Sequence, residues 1–442
     1  MSKICVLGQG YIGLPTALLF ANGGHEVVGI DVNKRVVETL KAGKMPFEEQ
    51  GFQELLDSAI AKKAFRAESL VEEADAFLVA VPTPFDSEMH MADLKYVVSA
   101  CEMIVPHLRK GNLVIIESTI PPNTCDKQVR HILEESGLKM CEDFYVSHCP
   151  ERAIPGNTLH EMVNNDRVIG GVDEKSTRLT AELYSSFVKG NLHLTTSTTA
   201  EMIKLMENTF RDVNIALANE FAQIADDYGI DIWKAIEIAN KHPRVNILKP
   251  GPGVGGHCIA IDPWFLTENA NNSSLIMMSR QINNSMPQYV LKMVKEMLAG
   301  IENPTITVFG VAYKGDIADT RATPAKKFIK LAEKEGFKVK IYDPFVREWS
   351  YPILRLEEAV EGSDCIVVLT DHSEFRDLNP DKLSNKMRKL SIIDTRNVID
   401  KSLWVKSGYG IKVIGTKNVT TQPIQNQLIN TGFDEQKSVI IH

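Results

Sequence analysis

Residues 251 to 262, GPGVGGHCIAID, place four glycines in six residues ahead of a histidine, a cysteine and, four residues past the cysteine, an aspartate. Glycines at that density let a backbone approach another group closely, so the stretch is either a cramped turn or the rim of a site. Cys258 is open to covalent chemistry if it is accessible and has a charge nearby, and Asp262 supplies such a charge. The plain alternative is a buried, inert cysteine. His257 is adjacent, but neighbouring residues seldom point the same way, so it serves the fold or a ligand as readily as the thiol.

A second constellation sits in TAEMIKLMENTF, where Lys204 and Asn208 stand at i and i+4 on one helix face. A solvated stripe is the ordinary reading. Met202, Leu205 and Met206, however, make this helix apolar enough to be largely covered, and a covered lysine needs a reason.

The third is a glycine turn. Gly8-Gln9-Gly10-Tyr11-Ile12-Gly13 follows the apolar run KICVLG and opens a helical pattern, and EVVGID ends in Asp31, 18 residues past Gly13. The glycines permit a tight turn and close approach of a pyrophosphate, the helix start offers unpaired N–H groups, and the acid can accept both ribose hydroxyls. Asp31 would repel a 2′-phosphate, which favours NAD over NADP. Arg35, one turn further on, lies over the adenine or is simply an exposed helix charge.

The elements that must position these residues follow from the apolar patterning. With 442 residues, two or three domains are expected. KICVLG, EVVGID, AFLVAVPTP, LVIIEST and FYVSHCP alternate with amphipathic stretches, which implies a parallel sheet covered on both faces. From Thr198 one long amphipathic helix is expected, with Met202, Met206, Phe210, Val213, Leu217, Phe221 and Ile224 at helical spacing. Strands return at TITVFGVAY, KVKIYDP, DCIVVLTDH and LSIIDTRN. The fold class is therefore α/β: two Rossmann-like doubly wound domains, 1–196 and 301–442, joined by a central helical domain, 197–300, built on one long helix. The last 25 or so residues have weak periodicity and are expected to be loosely attached.

Composition excludes several functions. A net charge of −8 argues against a nucleic-acid surface, and any anionic ligand must meet local cations. No apolar run approaches the roughly 18 residues of a membrane span, and the opening KICVLG is no signal peptide, so a cytoplasmic location is expected. Seven cysteines are odd in number and lack paired spacing. Cys141, His148 and Cys149 want a fourth ligand, and no metal is expected.

The ordered set LGQGYIGLP, VAVPTP, ESTIPPNT, CPERAIPG, TAEMIKLMENTF, GPGVGGHCIAIDPWF, FGVAYKGDIADTR and IIDTRN resembles the UDP-sugar 6-dehydrogenase family, from the N-terminus to about residue 400. The G-G-H-C form is similar to the branch acting on N-acetylated sugars, and I-D-P-W-F to its UDP-N-acetyl-D-mannosamine enzymes. The resemblance implies a four-electron oxidation of a sugar C6 alcohol with two NAD in succession, through a thiohemiacetal and a thioester on Cys258. It implies that Lys204 and Asn208 stabilise the C6 oxyanion, that Asp262 accepts a proton through a water, and that Glu151 and Thr119 place the hydrolytic water. Without it, Glu151 reads as a surface glutamate and Thr119 as a strand-end threonine.

The resemblance also implies NAD contacts from Gly8, Gly10, Tyr11, Ile12, Gly13, Asp31, Arg35, Thr83, Thr119 and Arg321. Substrate contacts are implied for Glu151, Arg152, Lys204, Asn208, Gly255, His257, Lys314 and Arg396, with Lys249 close by and Arg244 coming from a neighbouring subunit of a homodimer or higher oligomer. His257, Arg152, Ala260 and Trp264 are candidates for reading the acetamido group. Asn123 stands where the family often has glycine, and asparagine tolerates the left-handed backbone such a turn requires. Two other classes share the architecture: a two-electron β-hydroxyacid-type dehydrogenase, which would not require Cys258, and a non-catalytic NAD-binding sensor. Within the family, UDP-N-acetylglucosamine and UDP-glucose are the competing substrates.

Overall fold

The computed structural model describes residues 1–47, 49–86, 88–153 and 157–416. The tail expected to be loosely attached lies outside them. The chain divides into two compact units, one of Met1–Val213 with Cys258–Met278, the other of Asn214–His257 with Ser279–His442. The segment that begins at Cys258 thus belongs with the first 213 residues rather than with its sequence neighbours.

In the first unit the strands are β1 (Lys3–Leu7), β2 (Glu26–Ile30), β3 (Phe65–Glu68), β4 (Ala76–Val79), a short hairpin of β5 (Phe85–Asp86) and β6 (Met91–Ala92), then β7 (Leu113–Ile116), β8 (Tyr145–His148), β9 (Arg167–Gly171) and β10 (Leu192–Thr196). The hairpin stands apart, and the rest form an eight-stranded sheet in the order β10-β9-β8-β7-β4-β1-β2-β3. From β3 to β8 the order is the doubly wound one for dinucleotide binding, parallel throughout, and β9 then runs antiparallel to β8. The runs of β1, β4 and β7 are apolar on both faces because helices cover both. Leu14, Leu18 and Tyr184 pack in the core on one side, and Val97, Ile104 and Leu133 in the core on the other.

In the second unit β11 (Thr305–Phe309), β12 (Lys338–Tyr342), β13 (Cys365–Val368), β14 (Ser391–Asp394) and β15 (Gly410–Val413) form a parallel sheet in the order β12-β11-β13-β14-β15. The order reverses at β11 and β13, so ligand-contacting loops are expected after those strands.

The long helix runs Ser197–Tyr228, 32 residues with no proline or glycine, and stops at Gly229, whose φ of +72° suits glycine at a helix end. Its packing differs from the expected apolar stripe. The fully buried positions include Ala200, Leu205, Ala216, Ala218, Ala222 and Ala225, whereas Met202, Met206, Phe210, Leu217 and Ile224 are exposed in the single chain. Small residues let the helix lie close to its own core and leave the larger ones outside.

Candidate active site

The glycine turn is built by steric exclusion. A Cβ on Gly8, at φ +94°, would lie 2.4 Å from the carbonyl oxygen of Ala80, and one on Gly13 would lie 2.0 Å from that of Gly8. Over Gly10 there is open space, with no heavy atom within 4 Å of where its Cβ would be. The turn leads into the helix Gly13–Asn22. Asp31 closes it from β2, accepting the Gln9 N–H on Oδ2 at 2.9 Å and the Asn33 N–H on Oδ1 at 2.8 Å while staying partly exposed. The groups present fit a dinucleotide: a bare glycine where a pyrophosphate would lie, helix N–H groups, and a carboxylate with acceptor capacity to spare. Tyr11 is exposed and stacks on Phe47 at 4.2 Å between ring centres, Arg35 is exposed, and Thr83 is buried in the loop after β4.

Cys258 is the exposed one of the seven cysteines, and burial pushes the thiols of Cys101, Cys149 and Cys365 up to about 12. Its carbonyl accepts the N–H groups of Ile261 at 3.0 Å and Asp262 at 2.9 Å, so thiol-bearing residue and carboxylate are one turn apart. Asp262 then starts the short helix Asp262–Thr267. Its carboxylate is 4% exposed and accepts from the Asn208 amide, whose oxygen in turn accepts from Arg211. That pair of bonds leaves the Asn208 amide one orientation. Lys204 is 9% exposed, which rules out the solvated stripe. Burial pushes the Asp262 carboxyl up to about 6, with Lys204, Asn208 and Arg211 pulling the other way. A carboxylate so placed is still ionised at neutral pH and basic enough to take a proton.

Glu151 follows β8, and its Oε1 accepts the N–H groups of Arg152 at 2.6 Å and Ala153 at 2.8 Å. Arg167 on β9, itself 4% exposed, donates to its Oε2. Burial alone would raise this carboxyl, but the guanidinium and the two N–H groups hold it below the usual range. Behind Arg167 lies Glu117 at the end of β7, wholly inside, with Oε1 3.5 Å from the guanidinium. It accepts from Thr16 at 2.9 Å and Tyr184 at 3.0 Å, and burial raises it to about 7. Thr119, half-buried, is two residues past Glu117. The following turn is pinned to the long helix by Glu201, which accepts the N–H groups of Asn123 at 2.6 Å and Cys125 at 2.9 Å. Asn123 does adopt the left-handed backbone, with φ +71°.

The second unit holds the other expected ligands. The glycines of the 251–256 stretch are there because side chains press on the backbone: a Cβ on Gly251 would lie 2.5 Å from Arg396 Nη1, and one on Gly255 2.8 Å from both Tyr313 and Pro324. Arg396 pairs with Asp371 at 3.0 Å, and with Lys249, Lys234 and Lys401 it supplies the cations of a cavity of about 390 Å³ that also takes in Trp233, Asp231 and Glu237. This meets the requirement for local positive charge on an acidic chain. Lys314 is exposed in the loop after β11, at the strand-order reversal. Arg244 is exposed. Arg321 forks onto its neighbour Asp319, with Nη2 at 2.6 Å. Burial lowers His257, helped by Arg321 and opposed by Asp319.

Arg152 donates to Glu207 at 2.7 Å and to the Asp166 carbonyl, which leaves it further N–H donors. His148, of the discounted metal trio, is fully buried, and burial drives it down to about 3. Among the described residues no cluster of three or more His, Cys, Asp or Glu side chains could hold a metal, and no helix is long and apolar enough to cross a membrane. Sequence reasoning missed Arg167, Glu117, Arg211 and Glu201. The first two carried a signal, a charge set in or at the end of an otherwise apolar strand, which must be paired to be tolerated there.

A dinucleotide cradle and an accessible thiol with buried helpers in one compact unit define a class, the NAD-dependent oxidoreductases. The chain belongs to the UDP-glucose/GDP-mannose dehydrogenase family, matching its NAD binding domain over residues 2–188, its central domain over 198–285 and its UDP binding domain over 307–401. It is 49% identical over 423 residues to a UDP-N-acetyl-D-mannosamine dehydrogenase of Methanococcus maripaludis, covering 94% of this chain and 97% of that one. Among solved structures, the UDP-D-ManNAc dehydrogenase of Pyrococcus horikoshii superposes with a TM-score of 0.88 at 43% identity, covering 94% and 99% of the two chains. The UDP-N-acetyl-mannosamine dehydrogenase of Staphylococcus aureus gives 0.86 at 42% identity, covering 94% and 99%. The chain is thus an NAD-dependent UDP-sugar dehydrogenase.

Proposed function

We propose that the substrate is UDP-N-acetyl-D-mannosamine, oxidised at C6 to the uronate in the cytoplasm, where NAD and nucleotide sugars are made. The relatives' names and the G-G-H-C-I-A-I-D-P-W-F stretch support this reading. The observation that carries the chemistry is Asp262, buried against Asn208 and Lys204 and one turn from the exposed Cys258.

NAD, when bound, accepts a hydride from the C6 carbon in each oxidation. Gly8, Gly10, Gly13 and Asp31 would hold its pyrophosphate and ribose, with Tyr11, Ile12, Arg35, Thr83 and Arg321 as further contacts. The chain's side chains manage protons and the intermediate. Asp262, through a water, takes the proton from the C6 hydroxyl, and Lys204 and Asn208 offset the charge left on oxygen, each worth about 3–4 kcal/mol. The Cys258 thiolate adds to the aldehyde so that it cannot escape. The adduct, once oxidised, is a thioester, which water attacks to release the acid and return the thiol. Glu151, kept ionised by Arg167, and Thr119 position that water. Lys314, Arg396 and Lys249 offset the diphosphate charge, Arg152, Gly255 and His257 contact the sugar, and Arg244 serves a neighbouring protomer. The exposed Met202, Met206, Phe210, Leu217 and Ile224 support a homodimer or larger assembly formed through the central segment 197–300.

The test is turnover of UDP-ManNAc, UDP-GlcNAc and UDP-glucose, each with NAD. Two NADH per UDP-ManNAc, with the other sugars at least tenfold slower in kcat/KM, is the expected result. One NADH per sugar would replace the mechanism by a two-electron one. Cys258→Ser should halt the reaction at or before the thioester. Activity should fall as pH drops through about 6, because protonated Asp262 cannot act as a base.

A further inference from the structure

The short helix Asp262–Thr267 has too few residues to be stable by itself and must be held from outside. On one side Asp262 bonds to Asn208 of the long helix. Trp264 is two residues on, about 200° around the axis, and Glu268 four residues after Trp264 shares its face. Both meet the β5–β6 hairpin. The Trp264 ring stacks on Phe85 with centres 5.8 Å apart and lies against His90 at 4.6 Å. Glu268 accepts the Ala92 N–H on Oε2 at 2.9 Å. The hairpin's own turn is stiffened by Asp86, which accepts the N–H groups of Glu88 and Met89 at 2.9 and 3.0 Å. His90 sits there at φ +55°, a left-handed conformation uncommon for a residue with a side chain.

We propose that the hairpin strands Phe85–Asp86 and Met91–Ala92, with His90 as principal contact, are a positioning clamp for the reaction, pressing the Asp262 helix onto the long helix through Trp264 and Glu268. Trp264 is thereby an anchor for the hairpin rather than a reader of the acetamido group. The hairpin begins two residues after Thr83, so the loop expected to touch NAD and the helix carrying the base are braced by one short segment. This deepens the proposed mechanism and rests on Asp262 being its base. The charged groups facing Asp262 are Lys204 and Arg211 of the long helix, and none comes from the hairpin among the causes that set its acidity. Loosening the clamp therefore acts by admitting water, which lowers the Asp262 carboxyl toward its ordinary value.

The experiment is a kcat–pH profile of the full chain with UDP-sugar and NAD for His90→Ala, His90→Phe, Glu268→Ala and Glu268→Gln. His90→Ala and Glu268→Ala should lower kcat roughly tenfold, leave KM for NAD within about twofold, and move the acid limb down by at least half a pH unit. His90→Phe, which restores a ring against Trp264, and Glu268→Gln, which keeps an acceptor for Ala92, should recover most of kcat and the wild-type limb. Unchanged kcat in His90→Ala, a fall in kcat with an unmoved limb, or an effect confined to KM for the UDP-sugar would each overturn the clamp. Two NADH per sugar in the wild type keeps a failure here separate from a failure of the proposed mechanism.

Discussion

The two parallel sheets begin alike and end differently. In each, a glycine after the first strand donates its N–H to the end of the second, Gly8 to Ile30 and Gly310 to Tyr342, both at 2.8 Å, and an aspartate follows that second strand. Asp31 takes two backbone N–H groups and remains partly exposed. Asp343 is 4% exposed and takes four, from Val311, Ala312, Phe345 and Val346, as well as His372 Nε2 at 3.2 Å. Five donors use up the four or so acceptor positions of a carboxylate, so Asp343 has none left for a ribose. Two residues past the first glycine, the N-terminal turn has Gly10 and the C-terminal one Ala312. The first turn enters a helix at Gly13, whereas the second runs on as a loop until the helix Pro324–Lys334. One plan can thus hold a dinucleotide or be closed to it, depending on where an acid's lone pairs are used.

Four substitutions probe that contrast. Asp343→Ala should be the most damaging, because it strands five donors, four of them buried: a loss of about 3–5 kcal/mol of stability is expected, read as a lower denaturant midpoint. An unchanged midpoint would mean the acid is not structural. Asp31→Asn should leave stability within about 1 kcal/mol of wild type and weaken NAD binding 10- to 100-fold, while narrowing the preference over NADP, since the charge that repels a 2′-phosphate is gone. Titration of both dinucleotides reads this, and equal affinities in wild type and variant would remove Asp31 from the site. The smallest effect should separate Gly10→Ala from Ala312→Gly. The first should raise KM for NAD roughly tenfold by placing a methyl in the space kept open, and the second should leave it alone.

Much of this was legible beforehand. β4 and β7 are uninterrupted apolar runs, and β1, β2 and β8 are apolar or buried over most of their length, so their pattern shows in the sequence. The glycine turn with Asp31, the Lys204 and Asn208 pair, and Asp262 four residues past Cys258 were each readable from local spacing, whereas the meeting of Asp262 with Asn208 across two helices came from the resemblance. β3 was not, since FRAE alternates over too few residues to distinguish strand from loop, nor was β10, whose LHLTT is half exposed. The hairpin strands are two residues each, below any periodic signal. Partners distant in the chain were equally hidden: nothing near Glu151 says that Arg167 will hold it, and nothing near Asn123 points to Glu201. The long helix was placed correctly, but its exposed methionines were read as partly core because hydrophobicity does not reveal which side alanines will take.

The bond from Thr16 to Glu117 carries a lesson for engineering. Thr16 lies on the helix that begins at the glycine turn, and Glu117 stands behind the arginine that holds Glu151. A chimera that imported another nucleotide cassette for residues 1 to 30, without a hydroxyl at that register, would leave a buried acid short of a donor far from the graft. The N-terminal segment is therefore not an interchangeable part, and retuning cofactor choice is better done by single residues around Asp31 than by transplant.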